Sequence, residues 1–165
     1  MTDREPIRMQ IKGLMLDPSS KLPIVILRDD DSRYLLPIWI GVFEANAIAL
    51  RVEEIETPRP MTHDLLQSAL TEVGVQVEKV LISDLQENTF YAMIYLRHNG
   101  EQLTLDSRPS DAIALALRAE APIFVLPEVL QSAKSLDMTE TLEDDDRLKK
   151  WLEEVDPDEL GKYKM

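Results

Sequence analysis

Charged and hydroxyl side chains cluster where an apolar strand gives way to an apolar helix. They are Asp106, Ser107, Arg108, Ser110 and Asp111. Strand-to-helix junctions expose free backbone N–H groups, so they are common places for anions to bind. Magnesium uses one or two carboxylates together with substrate phosphate, and arginine binds phosphate in bidentate fashion. The types and spacing of these residues therefore fit a divalent cation and a phosphate bound side by side.

Helix capping explains part of the same pattern without any ligand. Ser110 is a favourable N-cap for a helix predicted over residues 110–120, and Asp111 in its first turn complements the helix dipole. Arg108 could simply pair with Asp106 or with Asp111. The residue pattern alone therefore leaves two interpretations open, a ligand site and local structure.

A second polar segment, RPMTHD, occupies residues 59–64. Thr62 is a favourable N-cap for the helix predicted to follow, which places His63 in its first turn. The positive end of a helix dipole favours a neutral imidazole, which can accept a proton as a general base must. A surface histidine at a helix end is the alternative. Arg59 and Asp64 add a cation and a carboxylate to the same segment.

The elements that carry these segments are predicted to come from an internal duplication. AIAL at residues 47–50 recurs at 112–115, and LLQSAL at 65–70 is similar to VLQSAK at 129–134. The two matches have nearly the same separation along the chain, which predicts two copies of one unit over residues 7–73 and 75–136. Each copy reads as three strands followed by two helices.

Hydrophobic periodicity and turn residues set the predicted bounds. The strands are predicted at 7–16, 23–28, 34–40, 75–83, 89–97 and 102–106, with a short extended run at 123–126. The helices are predicted at 42–54, 62–73, 110–120 and 128–134. A bulge is predicted at Glu78–Lys79, and the apolar strand FYAMIYLR is expected to be covered on both faces. The fold class is α+β, with one strongly curved, barrel-like mixed sheet and helices packed around it.

The two copies differ in which junction is polar. The strand–helix junction is apolar in the first copy (39–45) and polar in the second (106–112), whereas the helix–helix junction is polar in the first (59–64) and apolar in the second (124–128). Pseudo-symmetric packing could bring the two polar junctions together. We therefore hypothesise one composite site, built from Arg59, His63, Asp64, Asp106, Arg108 and Asp111.

Domain limits are predicted at residues 1–136 for the duplicated domain and 137–165 for an acidic tail. The tail carries Leu148, Trp151, Leu152 and Val155 on one face of a short predicted helix. Because such an apolar face needs burial, a homo-oligomer is expected.

Composition narrows the function classes. The 165-residue chain has no cysteine, which excludes disulfides, thiolate metal sites and cysteine nucleophiles. It shows neither an apolar run of membrane-spanning length nor a signal-peptide pattern, so a cytoplasmic location with no membrane association is expected. The net charge of −13 works against a broad nucleic-acid-binding face. Any nucleic-acid role must then use local arginines or bound cations.

Four segments together resemble the bifunctional nuclease domain family. They are LPIWIGVFEANAIA, RPMTHDLL, ENTFYAMIYL and DSRPSDAIALALRAEAPIFV, and the resemblance covers about residues 7–135 in the family's order. It implies two three-strand, two-helix repeats in one barrel-like sheet. It also implies phosphodiester hydrolysis on DNA and RNA, and therefore nucleic acid as the partner.

Two functions follow as expectations. As a nuclease, the chain would hold Mg²⁺ or Mn²⁺ between Asp106 and Asp111, and His63 and Asp64 would complete the catalytic group. The substrate would be bound by Arg59, Ser107, Arg108 and Ser110. The alternative is a non-enzymatic regulatory or interaction module with an anion- or small-ligand-binding pocket.

Overall fold

A computed structural model describes residues 5–133 and 136–137. The first half contains β1 (Ile7–Leu16), β2 (Pro23–Asp29), β3 (Tyr34–Trp39), α1 (Val42–Val52) and α2 (Thr62–Glu72). The second half contains β4 (Gln76–Gln86), β5 (Thr89–His98), β6 (Glu101–Ser107), α3 (Pro109–Ala119), β7 (Ile123–Val125), α4 (Pro127–Ser132) and β8 (Leu136–Asp137). Both halves thus begin with three strands and a helix.

The strands form one mixed sheet in the order β6-β5-β4-β7-β1-β2-β3-β8. Strands β4 and β7 are parallel, and the other neighbours are antiparallel. The predicted α+β class is confirmed. The predicted barrel-like closure is not: over the described residues the sheet is open, with β6 and β8 at its edges. Closure would require hydrogen bonds between these two strands, and β8 contributes only two residues.

Local sequence signals account for the second hairpin. Asn99 and Gly100 both have positive φ angles, 50° and 80°, as a two-residue type I′ turn requires. The register of β4 shifts between Val77 and Lys79, which confirms the predicted bulge. The prediction that β5 is covered on both faces is wrong, because its burial alternates along the strand and Tyr91 remains exposed. Helix α3 packs on the face of β5 that carries Ala92 and Ile94, and the opposite face, with Tyr91, stays partly open.

Helices α1 and α3 pack against each other and belong to the same core as the sheet. Ala45 and Ala47 of α1 are buried in this core, and the Ala47 carbonyl oxygen accepts a hydrogen bond from Arg118 of α3. Ala112, Ile113, Ala114, Leu115 and Ala116 are all buried, so this part of α3 is enclosed on every side. This contact fixes α3, and therefore the polar residues at its start, rigidly against the sheet.

Helix α2 is attached differently. None of its residues is fully buried, and Leu70 is its partly buried contact with the core. Its remaining links to α3 are made by polar side chains of its first turn, described below. No helix in the described residues has the length and apolar character to cross a membrane. The predicted tail helix lies outside the described residues.

Candidate functional site

The start of α3 is formed by Arg108 and Pro109. Arg108 is the N-cap residue and Pro109 takes the first helical position, where its missing N–H costs nothing. The predicted capping role of Ser110 is therefore wrong. Ser110 lies inside the helix, fully buried, and its hydroxyl has no hydrogen-bond partner among the described residues. Ser107 donates its hydroxyl to the Arg108 carbonyl oxygen at 2.8 Å, a local bond at the end of β6.

The start of α2 also differs by one residue from the prediction. Met61, and not Thr62, is the N-cap residue. The Asp64 carboxylate accepts a hydrogen bond from the Met61 backbone N–H at 2.9 Å, so this acid closes the first turn from inside the helix. Thr62 and His63 are then the first two helical residues, and His63 is carried toward α3.

The two polar junctions meet at His63 and Asp111. His63 Nε2 lies 2.9 Å from Asp111 Oδ1. The His63 side chain is only 12% exposed, and Asp111 is partly buried. Because an ionised carboxylate only accepts hydrogen bonds, this contact requires the proton on Nε2. In the neutral ring, Nδ1 then carries the lone pair that can accept a proton. We call this pair the dyad.

Arg108 holds Asp111 from its other side. Arg108 Nε lies 2.9 Å from Asp111 Oδ2, and Arg108 Nη1 lies 3.0 Å from Glu44 Oε1 on α1. Burial by itself raises the pKa of Asp111, but hydrogen bonds from Arg108 and His63 outweigh burial and leave that pKa below its ordinary value. The same hydrogen bond to Asp111, with help from Glu44, raises the pKa of Arg108. Asp111 is therefore ionised at neutral pH.

A second ion pair joins α2 to α3 through Asp64 and Arg118. Arg118 Nε lies 2.6 Å from Asp64 Oδ1, and its other nitrogens donate to the carbonyl oxygens of Ala114 (2.9 Å) and Ala47 (3.0 Å). The Arg118 side chain is only 4% exposed. Burial raises the pKa of Asp64, but the Met61 N–H and Arg118 outweigh burial and lower it. Arg118 thereby connects α1, α2 and α3.

Two cavities lie beside these pairs. The dyad cavity, of about 320 Å³, is lined by residues that include Phe43, Glu44, Met61, His63, Arg108 and Asp111. The arginine cavity, of about 710 Å³, is lined by three arginines and three acids among other residues: Arg51, Arg59, Arg118, Glu54, Glu56 and Asp64. The composite hypothesis therefore divides: His63, Arg108 and Asp111 share one cavity, whereas Arg59 and Asp64 line the other.

Asp106 does not join the dyad. It pairs with Met93 across β5 and β6 and is exposed on the sheet face opposite to the one that packs against α3. Strand alternation explains this placement, because the buried face of β5 carries Ala92 and Ile94, whose β6 partners are Ser107 and Leu105. Asp106 is therefore close to Asp111 in sequence but does not lie in the same site, and its inclusion in the composite site is wrong.

The donor set does not fit the predicted cation site. Both carboxylate oxygens of Asp111 already contact cationic or N–H-bearing side chains, and Asp106 lies on another face. Among the described residues no group of three or more His, Cys, Asp or Glu side chains is arranged to hold a metal ion. Dependence on Mg²⁺ or Mn²⁺ stays a prediction from the sequence, and no chemical step is assigned to a metal.

The sequence reasoning missed two residues of this network, Glu44 and Arg118. Glu44 is the acidic residue in the first turn of α1, and it also pairs with Arg108. Arg118 follows Asp111 by two helical turns, so the two side chains lie on the same side of α3. That spacing is the signal that could have identified Arg118.

The low pKa values of Asp111 and Asp64 predict how stability changes in acid. A carboxylate whose folded-state pKa is lowered stabilises the fold above its ordinary value of 3.8, and this contribution is lost as the pH falls through the folded-state pKa. We expect Asp111→Asn to reduce the free energy of unfolding by about 1–2 kcal/mol near neutral pH. The reduction should shrink steadily below pH 3.8.

Urea denaturation of wild type and variant across this pH range measures the difference. Ser107→Ala is the control, because it removes no titrating group and its effect should not vary with pH. The loss of unfolding free energy in Asp111→Asn could instead stay constant down to a pH at which the carboxylates are fully protonated. That result would contradict the assignment of an ionised, hydrogen-bonded Asp111.

Comparison with known proteins identifies the family to which the chain belongs. The bifunctional nuclease domain matches residues 25–137, which is more than half of the chain. The chain therefore belongs to the bifunctional nuclease domain family, and the resemblance noted from its motifs is confirmed.

Individual relatives agree with this membership. An uncharacterised protein of Mycobacterium tuberculosis is 36% identical over 161 residues, which cover 92% of this chain and 96% of that protein. Bifunctional nuclease 1 of Oryza sativa subsp. indica is 31% identical over 105 residues, covering 62% of this chain and 32% of the rice protein. Bifunctional nuclease 1 of Arabidopsis thaliana is 27% identical over 116 residues, covering 68% and 36%. The matched region thus spans about a third of each plant protein.

Proposed function

We propose that this protein hydrolyses phosphodiester bonds of DNA and RNA, with His63 as the group that transfers protons. The observation that carries the proposal is the 2.9 Å contact between His63 and Asp111 in a cavity that also presents Arg108. Family membership and the plant relatives named bifunctional nucleases support the reaction class.

The dyad has the parts needed for general acid–base catalysis. Asp111 fixes the orientation of the imidazole and leaves Nδ1 as the basic nitrogen, so His63 can take a proton from an attacking water. The imidazolium formed is stabilised by the adjacent Asp111 carboxylate. In an in-line displacement the leaving oxygen lies on the opposite side of the phosphorus and takes its proton from solvent, and the imidazolium then releases its proton to solvent, which restores the dyad.

Arg108 is the candidate phosphate ligand in this cavity. Its guanidinium has five N–H donors, and the contacts to Asp111 and Glu44 use only part of them. The side chain is 49% exposed, so its free donors are open to a substrate. Glu44 and Asp111 neutralise much of its charge, and so Arg108 positions a phosphate more than it attracts one.

Further contacts to a polyanion must come from nearby cations. Arg51 and Arg59 line the adjoining arginine cavity, where Asp64 and Arg118 neutralise each other. Glu54 and Glu56 line the same cavity, so Arg51 and Arg59 provide individual phosphate contacts and no net positive field. We assign these two arginines to phosphates that flank the scissile one.

Cleavage assays test the proposal. Purified protein is incubated with end-labelled single-stranded RNA and DNA, in buffer with a chelator and in buffer with Mg²⁺ or Mn²⁺. The Arg108→Ala variant is expected to lower the cleavage rate about tenfold or more, because it removes a charge-assisted phosphate contact. Arg33→Ala, which alters an exposed arginine in the β2–β3 turn, is the matched control.

Equal cleavage by wild type and Arg108→Ala would point to a contaminating nuclease and remove the dyad cavity from consideration. The reactions with a chelator show separately whether cleavage requires a divalent cation. Activity that survives chelation fits the dyad alone, and activity that requires Mg²⁺ or Mn²⁺ would restore the cation expected from the sequence.

The arginine cavity favours a second candidate, a non-enzymatic regulatory module. Its volume of about 710 Å³ lies within the usual range for small-ligand pockets, and Arg51 and Arg59 offer N–H donors to an anion beside Glu54 and Glu56. Saturable binding of a mononucleotide that is lost in Arg59→Ala, in a protein without cleavage activity, would favour this alternative.

A further inference from the structure

Strand β6 presents a sheet edge that lacks the common protection against pairing with another strand. It lies at the end of the sheet over the described residues, and six of its seven residues are exposed. Leu103 and Leu105 are 45% and 47% exposed although they lie on the helix-packed face of the sheet. The strand contains no lysine and no proline, the residues that commonly protect such edges.

The β5–β6 hairpin determines which backbone groups face outward. His98 and Glu101 flank the two-residue turn, and residues flanking such a turn exchange hydrogen bonds. Hydrogen bonding alternates along an antiparallel ladder, so Leu103 and Leu105 also bond to β5. The N–H and C=O groups of residues 102, 104 and 106 therefore point to the open edge.

We propose that β6 pairs with β6 of a second copy of this chain, antiparallel and about a two-fold axis at Thr104. In this register Thr104 faces Thr104 of the second copy, Leu103 faces Leu105, Gln102 faces Asp106 and Glu101 faces Ser107. The three outward-facing positions then exchange about six backbone hydrogen bonds. The two sheets become one continuous sheet across the dimer.

Side-chain chemistry favours a second copy over an unrelated strand. The leucine pairs extend the apolar layer beside Ile94 and Leu96, on the helix-packed face. On the opposite face Thr104 pairs with itself, and the Gln102 amide, which already donates to Glu78, has a second N–H for Asp106 of the other copy. Complementary pairs of directly opposed side chains, such as these, stabilise the pairing of two strands.

The register is also the one that avoids charge repulsion while using the whole strand. The acids Glu101 and Asp106 face a serine and a glutamine, so no like charges are opposed. A two-fold axis perpendicular to the sheet allows only registers in which both facing residues lie on the same face. Among those registers, the axis at Thr104 alone pairs all seven residues of Glu101–Ser107. Asp106 thus acquires a role at a subunit contact.

Cysteine cross-linking tests both the partner and the register. The chain has no cysteine, so each introduced thiol is unique. Thr104→Cys is expected to give a disulfide-linked dimer under mild oxidation, because facing Cα atoms in such a pair lie about 5.5 Å apart. Gln102→Cys is the matched control: its two copies are four residues apart along the strands, about 13 Å, and should not link.

Sedimentation measures the contact without a cross-link. Wild type is expected to be dimeric, and Thr104→Pro should raise the dissociation constant at least tenfold, because proline removes an outward N–H. Since that N–H faces solvent in the single chain, circular dichroism should show an intact fold. Thr104→Val keeps the N–H and should remain dimeric.

Several outcomes would overturn the proposal. They are a monomeric wild type at about 100 µM, far above a micromolar dissociation constant, a folded Thr104→Pro variant that dimerises like wild type, and equal cross-linking at positions 102 and 104. A monomer whose Thr104 amide is protected from hydrogen exchange would show that another part of the same chain covers the edge. That outcome also rejects the second copy as its occupant.

Discussion

Replacing His63 by glutamine is expected to lower the rate of phosphodiester cleavage by about 100-fold or more. Glutamine can still donate a hydrogen bond to Asp111 from a side chain of similar length, so the dyad cavity should keep its shape. It cannot exchange a proton at neutral pH, and general acid–base catalysis contributes about 10²–10⁴ to enzymatic rates. The loss should fall on kcat more than on KM, since His63 is not the proposed phosphate ligand.

The other histidine supplies a control. His98 is the last residue of β5, at the end of the hairpin away from the dyad, and His98→Gln should leave cleavage within about twofold of wild type. Asp111→Asn should reproduce most of the His63→Gln loss, because the amide cannot stabilise the imidazolium and can hold the wrong tautomer. Thermal melts of all three variants separate lost chemistry from lost folding.

A folded His63→Gln protein that cleaves RNA and DNA at the wild-type rate would end the assignment of His63 as the proton-transfer group. Loss in His63→Gln together with full activity in Asp111→Asn would keep the histidine and reject the dyad. The second result would mean that a hydrogen-bond partner other than Asp111 orients the His63 ring.

Much of the fold could be predicted because local patterns and tertiary structure agree. The predicted first strand, 7–16, matches β1 residue for residue, and the Asn99–Gly100 turn fixes the second hairpin. Strand β5 was mispredicted for a tertiary reason. Its residues are apolar on both sides, but whether a face is covered depends on which helices pack on it, and periodicity along one strand carries no information on that packing.

The candidate site, like the fold, could be predicted from the sequence only in part. Comparing the two copies identified the junctions at 59–64 and 106–112 as complementary, and the structure brings His63 of one to Asp111 of the other. Periodicity could not exclude Asp106, because its position depends on which face of β6 packs against α3. Arg118 was overlooked because a charged residue near a helix C-terminus is typical of a solvated position, and only the packing of three helices buries it.

Arg118→Met is expected to lower the free energy of unfolding by about 3 kcal/mol. Methionine fills a similar volume but donates no hydrogen bond, so Asp64 loses its cation and the carbonyl oxygens of Ala47 and Ala114 lose a donor. In a chain of this size the change corresponds to a fall in melting temperature of about 6–12 °C. Guanidinium titration and calorimetry measure both quantities.

Two further variants show whether the pair itself is responsible. Arg51→Ala changes an exposed arginine on α1 and should cost no more than about 0.5 kcal/mol. Asp64→Leu leaves the buried Arg118 without its carboxylate and should cost as much as Arg118→Met. The double variant should be more stable than the sum of the single losses predicts, by about 1 kcal/mol or more, since residues in one ion pair are not additive. Strict additivity would show that the two side chains act separately.

The same substitution connects stability to function. Helix α2 has no fully buried residue, so its first turn is held beside α3 mainly by the Asp64–Arg118 and His63–Asp111 pairs. Arg118→Met should therefore weaken the placement of His63 and reduce cleavage even below the melting temperature, although Arg118 lies outside the dyad cavity. Hydrogen exchange should accelerate in α2 before it does in α3, because residues 112–116 of α3 are all buried. Uniform acceleration in both helices would mean that they unfold as one unit and that Arg118 stabilises the whole core, with no special role in positioning His63.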